Sequence, residues 1–579
     1  MRSRRRKIII KKINVLVIAF IMAILMVPIH TVFPVNATQG PRSDVEILFY
    51  ENQASAYAAL KTGEVDFIQG LLTYEQRLDA EDDPDLCVSD IIENVMMQFD
   101  LHNNYTIAKY PGVRNPLHLK EFRHALSCMV DKQYIIDEIL EGAGELLNVP
   151  ISLNSLSWWP ECALPENYPW KYNETRAEEQ LVLAGFVDTD DDGIRNYPVG
   201  WPGREAGQNM DPLVFYVRVE DERLYAGRYL AGQLDLFGIP YNKIEATSDL
   251  CFPAVMDDQN YHIYTGGWSL TIYPWLLYYG YSSFFLSNYV TGRNESNMPN
   301  YPDYDVLARQ VIYTDSIESS RAAAQAAAEL GWCEYVFNIP LWSPISFVAW
   351  RKTMTGVINK ANWGLDNVYH FLKAYNTVDS SIRMGTNSAP EALNPLYSTG
   401  YCDHVVLDRV YSGLLNVNPY DLGIDQPGAA QDWEVGTWID PNPGAGEPAE
   451  KTKVTYYLRT DCGIVAPNGT YVRNLNAHDL EFSCWYTYSF KEWDYGSYEN
   501  VHHSVVVDDY TIEYYFDDSR FWFFSEPQYP TFPKLELIDK LCCISSVGFS
   551  SDGANCSAGT QFKLPTIDQI IQVTSDDLD

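Results

Sequence analysis

The spacing of apolar residues along this chain changes repeatedly, and each change marks an element. Val45-Glu-Ile-Leu-Phe-Tyr50 reads as a strand, residues 54–60 as a short helix, and Lys61-Thr-Gly-Glu-Val-Asp-Phe-Ile68 returns through Gly63 to a strand. Over residues 116–140, Phe122, Ala125, Leu126 and Met129 fall on one helical face until the pattern breaks at Val130-Asp131. Asp131 can cap a second helix carrying Tyr134, Ile135, Ile139 and Leu140, which stops at Gly142. Further helices are predicted over 176–184, 225–236 and 319–335, with a strand over 213–217 and His262-Ile-Tyr-Thr-Gly-Gly-Trp268 following. Helix–glycine–strand order of this kind predicts an α/β fold.

The N-terminus carries a different signal. Arg2, Arg4, Arg5, Arg6, Lys7, Lys11 and Lys12 precede an apolar run over 15–29, and Val35-Asn-Ala37 offers a small-residue cleavage site. The run is short for a full membrane span, so residues 1–37 read as a cleaved signal peptide rather than an uncleaved N-terminal anchor. Either way the remainder is exported, to the cell envelope or the extracellular space. No second stretch is long and apolar enough to cross a membrane.

Composition narrows the class. The 579 residues suffice for two or three lobes, and 46% hydrophobic with 14% aromatic content fits a globular chain. A net charge of −36 argues against nucleic acid and against an anionic lipid surface, which would both repel it. The 11 cysteines include no Cys-x-x-Cys pair. An oxidising compartment permits disulfides, the odd count leaves at least one thiol without an intrachain partner, and the pairing cannot be read. Asn104, Asn173, Asn294, Asn468 and Asn555 open glycosylation triplets, making the exported chain a candidate glycoprotein.

Several wordings resemble extracellular solute-binding proteins of family 5, which feed peptide and nickel transporters. They are Arg123-His-Ala-Leu-Ser127 followed by Asp131-Lys132, Ala59-Leu-Lys-Thr-Gly63-Glu-Val-Asp66, Ala184-Gly-Phe186 and Asn338-Ile-Pro-Leu-Trp342. The resemblance implies a bilobed α/β fold of the periplasmic-binding-protein type II kind, with the Arg123 motif as scaffold of the first lobe. Ile382-Arg-Met-Gly-Thr386, Leu393-Asn-Pro395, Leu407 to Leu415, Trp433-Glu-Val-Gly-Thr437 and Leu475 to Ser483 then resemble the family's beginning, yet they come late. Circular permutation explains this order and leaves one complete bilobed unit; a truncated tandem protein is the other reading. The domains expected are lobe I over 44–150, lobe II over 151–355, lobe I again over 356–435, a small extra domain over 436–535 and an unassigned tail over 536–579.

No catalytic motif emerges: no Gly-x-Ser-x-Gly elbow, His-Glu-x-x-His, phosphate-binding loop or dinucleotide fingerprint. The chain reads as a binding protein without cofactor and not as an enzyme; a cell-surface hydrolase is the rival class. His502-His503 beside Val505 reads as strand. Asp188, Asp190 and Asp192 with Gly193 mimic half a calcium loop, but Val199 stands where its closing Glu belongs, so a solvated acidic turn is the plainer reading.

Binding is expected at Gly266-Gly-Trp268-Ser-Leu-Thr-Ile-Tyr273-Pro-Trp275. Glycines at a strand end place Trp268 at a cleft, where flat rings pack on a peptide side chain or a sugar ring. The resemblance implies ligand contact at Trp268 and Ser269. Tyr273 and Trp275 join them, with Trp363, Tyr411 and Trp433 as further candidates and Arg293 as a weaker one. Peptide binders of the family often carry Asp three residues after that Trp; here Thr271 stands there. An oligopeptide and a neutral solute such as an oligosaccharide both stay open. The implied partners are the permease subunits of an ABC transporter, which would also bring the protein to the membrane.

Overall fold

The computed structural model describes residues 44–283, 301–314, 316–386, 406–407, 411, 413–420, 425–444, 449–465, 470–490, 500–520 and 522. The expected signal peptide, Arg293, Asn294, Asn468, Asn555 and the 536–579 tail lie outside them.

Strands β1 (Val45–Phe49), β2 (Phe67–Ile68), β3 (Leu86–Ile92), β4 (Val95–Leu101), β5 (Gly144–Leu146), β6 (Leu213–Arg218), β7 (Tyr241–Ala246), β8 (Ile263–Ser269) and β9 (Ile339–Arg351) build most of two sheets that share β9. The C-terminal half of β9 pairs antiparallel with β3, from Leu86↔Arg351 to Ile92↔Ile345. Its N-terminal half pairs with β4 and β5 in the other sheet. Two adjacent segments therefore cross between the lobes, one at Glu93-Asn94 and one at residues 343–345. Glu93 N–H donates to the Pro344 carbonyl at 3.0 Å, tying the crossings together.

After the ribbon of β10 (Met354–Thr355) and β11 (Tyr375–Asn376), β12 (Ile382–Thr386) runs parallel between β1 and β2. The alternation of a strand explains its seat: Ile382 and Met384 are fully buried on one face with Phe67, Val348 and Phe371. On the other face Leu60, Val65, Ile68 and Ala349 form a second cluster. Buried Asp66, the last residue of the Gly63 motif, accepts from Arg383 N–H at 2.8 Å and Asn376 Nδ2 at 2.5 Å. The early motif and the late strand thus satisfy each other's polar groups.

The core of the β4–β6–β8 sheet includes Phe122, Ala125, Leu126 and Met129, so the Lys120–Met129 helix packs with this second sheet. The chain passes from one sheet to the other at Glu93-Asn94 and again near 344, because sheet pairing over long sequence separation sets which strands are neighbours. The scaffold role of the Arg123 motif has a physical basis. Fully buried Arg123 donates to the carbonyls of Leu117 (2.7 Å), Tyr335 (2.8 Å) and Val336 (2.8 Å). Ser127 bonds Trp170 O at 3.0 Å, and Lys132 reaches Asn148 Oδ1 at 2.8 Å. The helix breaks as expected, with Asp131 Oδ1 accepting from Tyr134 N–H at 3.0 Å.

Cys162 and Cys333 form a disulfide inside the second lobe. Among the described residues Cys87, Cys128, Cys251, Cys462 and Cys484 are free thiols. Asn104 is only 2% exposed, so a glycan cannot sit on it in the folded chain; Asn173 is exposed and caps the Glu174–Leu183 helix.

Beyond the short ribbon of β13 (Leu415–Val417) and β14 (Asp425–Pro427) lie β15 (Ala430–Ile439), β16 (Glu450–Leu458), β17 (Gly463–Val465), β18 (Tyr471–Asn474), β19 (Val501–Asp508) and β20 (Thr511–Phe516). Four of them pair antiparallel in the order β15-β16-β20-β19, and β15 runs through the boundary expected at 435. Tyr456, Ile512 and Tyr514 from this sheet share one apolar cluster with Trp158, Tyr273 and the helices Pro302–Ile312 and Ile317–Ala328. No helix among the described residues is long and apolar enough to cross a membrane.

Candidate functional site

The candidate site grows from the end of β8. In the antiparallel pairing of β4 and β8, Gln98 faces Gly266 and Asp100 faces Tyr264. Of the two glycines, Gly266 is the one that packing confines, because it lies against buried Asp100. A Cβ on Gly266 would stand 2.0 Å from Asp100 Oδ2, and one on Gly267 would stand 2.8 Å from an Arg223 guanidinium nitrogen. Asp100 is fully buried, and burial pushes its carboxyl well above the usual range, against hydrogen bonds from Trp268 and Gln98 and the Arg223 charge. Trp268 Nε1 lies 3.4 Å from both Asp100 oxygens. Gln98 also takes a hydrogen bond from Asn338, which binds Tyr281 O–H and the Trp332 indole at 2.7 and 2.5 Å. A connected polar network therefore fixes Trp268 from behind.

Past Trp268 the chain turns over the crossing. Leu270 N–H donates to Asn94 O at 2.8 Å, and Ser155 Oγ to Ile272 O at 3.0 Å. Tyr273 follows at 6% exposure, inside an aromatic cluster. Its ring centroid lies 4.3 Å from Trp522, 5.7 Å from Trp275 and 6.1 Å from Trp158. The Trp158 and Trp275 indole N–H groups are buried without a hydrogen-bond partner among the described residues. Trp158 is 0% and Trp522 2% exposed, so this cluster is packed as core, and a solute offering carbonyl or hydroxyl oxygens would reach the two unpaired donors only on opening of the surrounding elements.

Tyr273 O–H donates to Asp425 Oδ1 at 2.5 Å, linking the second lobe to β14. Burial raises the Asp425 carboxyl to about 6, opposed by the Tyr273 bond. A raised acid means the folded state keeps a proton that the unfolded state has lost, so the stability drawn from the buried, protonated Asp425 falls as pH rises from about 4 through about 6, even though the Tyr273 bond itself favours the ionised form. Asp425→Asn should remove that dependence. The stability advantage of wild type over the variant should fall by about 2–3 kcal/mol between pH 4 and pH 7 in urea melts.

The other expected residues are distributed around this core. Ser269 is exposed beside Trp268. Trp363 sits on a turn under Lys360, whose Nζ is 4.2 Å from the ring, and the neighbouring Asn362 accepts from Asn94 N–H at 2.7 Å. The structure thus sets Trp363 against the crossing and groups Tyr273 with Trp275. Trp433 packs from β15 onto the same apolar cluster. Tyr411 is half-buried, its N–H bonded to Leu407 O at 2.9 Å. Trp158, Asp425 and Trp522 were not anticipated, and only Gln98 with Asp100, two polar residues at alternate positions of an apolar strand, carried a readable signal.

Residues 41–291, less than half of the chain, match the profile described as bacterial extracellular solute-binding proteins, family 5 Middle. The resemblance is to family 5. The oligopeptide-binding protein AppA of Bacillus subtilis (strain 168) is 26% identical over 140 residues, which is 24% of this chain and 23% of AppA. The match thus spans about a quarter of that relative's length. The AppA structure with a nonapeptide overlays at a TM-score of 0.40 and 20% identity, covering 56% of this chain and 59% of AppA. NikZ from Campylobacter jejuni with Ni(L-His) overlays at 0.40 and 17% identity, covering 55% and 60%.

The three carboxylates Asp188, Asp190 and Asp192 lie within 4.8 Å of one another. Asp192 already accepts from Ile194 N–H at 2.8 Å and Asn209 Nδ2 at 2.6 Å, and Asp188 from Gly193 N–H at 2.9 Å. Three of the six carboxylate oxygens are engaged in this way, while Asp188 Oδ1 is buried without a hydrogen-bond partner among the described residues.

Proposed function

We propose that this chain is an exported solute receptor of the family 5 type, with the type II periplasmic-binding-protein architecture. It captures an oligopeptide or a similar oxygen-rich solute between its lobes and delivers it to the permease of an ABC transporter. The observation that carries the reading is the aromatic cluster of Trp158, Tyr273, Trp275 and Trp522, with two buried indole donors lacking partners, set beside the crossing. Separate cores on the two sides and, among the described residues, two adjacent segments crossing between the sheets favour hinge closure. The work asked of such a site is binding, not turnover.

The relatives' peptide ligands favour an oligopeptide here. Thr271 in place of the family's Asp leaves a charged amino terminus without its anchor, which keeps a neutral oligosaccharide as the second reading. The seat of β12 between β1 and β2 favours the permuted order, in which late residues complete a sheet begun by early ones.

Thermal shift across peptide and sugar libraries tests this proposal, since a ligand bound only by the folded state raises Tm. Ligands that raise the Tm of wild type should lose most of that shift in Trp275→Ala, whose own fold is checked by circular dichroism. A full set of libraries without any shift would sink the receptor reading.

A further inference from the structure

The small four-stranded sheet holds a second cluster of chemistry, far in function from the aromatic site. Successive residues of a regular strand point to opposite faces. Yet the Nδ1 atoms of His502 and His503 are hydrogen-bonded to each other at 2.6 Å. The cause is a bulge: Val501 pairs with Phe516 and His503 with Tyr515, so His502 is an extra residue on β19. That bulge brings two neighbouring imidazoles together on the edge strand of the sheet.

Their surroundings hold the pair in place. His503 stacks on Tyr515 with centroids 4.2 Å apart, and Trp438 lies 5.2 Å from His502 and 5.4 Å from His503. Asp440, within electrostatic reach of both rings, is ion-paired to buried Lys451 at 2.9 Å. Asp440 Oδ1 also accepts from Asn442 N–H at 2.8 Å, so the carboxylate contributes charge while its oxygens stay occupied. Both rings are half-buried rather than sealed.

We propose that His502 and His503 form a two-nitrogen site for a borderline divalent ion of the nickel, copper or zinc class. Imidazole nitrogens suit these ions, and bond lengths of about 2.0–2.1 Å require the two Nδ1 atoms to part only slightly around a shared ion. Water or a small exogenous ligand completes the coordination, which makes the site open rather than structural. It does not depend on the receptor reading, because it lies on a different element and uses none of the aromatic cluster.

The test uses the untagged full chain and NiCl2 alone in a non-coordinating buffer. Isothermal calorimetry should show one saturable Ni2+ site per chain, weakened by roughly tenfold or more in His502→Gln and in His503→Gln. His478→Gln, an exposed histidine elsewhere in the same domain, should leave it unchanged. Circular dichroism and Tm of metal-free variants exclude misfolding as the cause. With CuCl2, electron paramagnetic resonance should show coupling to two nitrogens, reduced to one in either single variant. Absence of saturable binding in wild type, or full affinity retained in His503→Gln, would overturn the proposal.

Discussion

Met384→Ala should lower the unfolding free energy by about 2–5 kcal/mol, the usual range for truncating a fully buried methionine. Met384 is 0% exposed and pairs with Ile47 on one side and Phe67 on the other. Its loss opens a cavity between segments more than 300 residues apart in sequence, bounded by Phe67, Val348 and Phe371. Hydrogen exchange should locate the damage: amides of β1 should lose protection together with those of β12, because the strands share a ladder. Urea melts measure the size. A cost under about 1 kcal/mol, with β1 protection intact, would mean that β12 does not sit in this sheet.

Removal of the Cys162–Cys333 bridge should have an effect of similar size. The two cysteines are separated by 171 residues, and closing a loop of that length removes chain entropy worth about 5 kcal/mol from the unfolded state. Measured losses run at about 2–5 kcal/mol, since the unfolded chain retains some order. Cys162→Ser with Cys333→Ser should therefore melt at lower urea concentration, and a reducing agent should bring wild type to the same midpoint. If reduction left the wild-type midpoint unmoved, the bridge would contribute nothing. The pair joins the Glu161–Ala163 turn to the helical turn Glu329–Glu334, within the lobe that carries Trp268.

Local chemistry was legible in the sequence and long-range pairing was not. The Lys120–Met129 helix, the break at Asp131 and the Gly63 turn follow from spacing, a capping carboxylate and a left-handed glycine at φ +79°. The late strand at Ile382 was readable as an element through its resemblance to a family opening. Its neighbours were not, since nothing local says that Ile382 lies beside Val45. The same limit hid the crossing at Glu93-Asn94: β3 and β4 are consecutive, yet they join different sheets because β9 continues past both. At the site, the glycines before Trp268 signalled a strand end, whereas the structure sets Gly266 against the buried Asp100 carboxylate. Trp158, Asp425 and Trp522 converge on Tyr273 from three distant segments, so no spacing rule could assemble them.

The proposed function rests on a bound solute, and that is directly measurable. Mass spectrometry of the purified full chain, after acid release of small molecules, should find a peptide or oligosaccharide near one equivalent per chain. Returning it to dialysed protein should raise Tm, and Trp275→Ala should copurify with much less. A chain that yields no solute, and that shows no shift with any peptide or sugar offered, would contradict the receptor account.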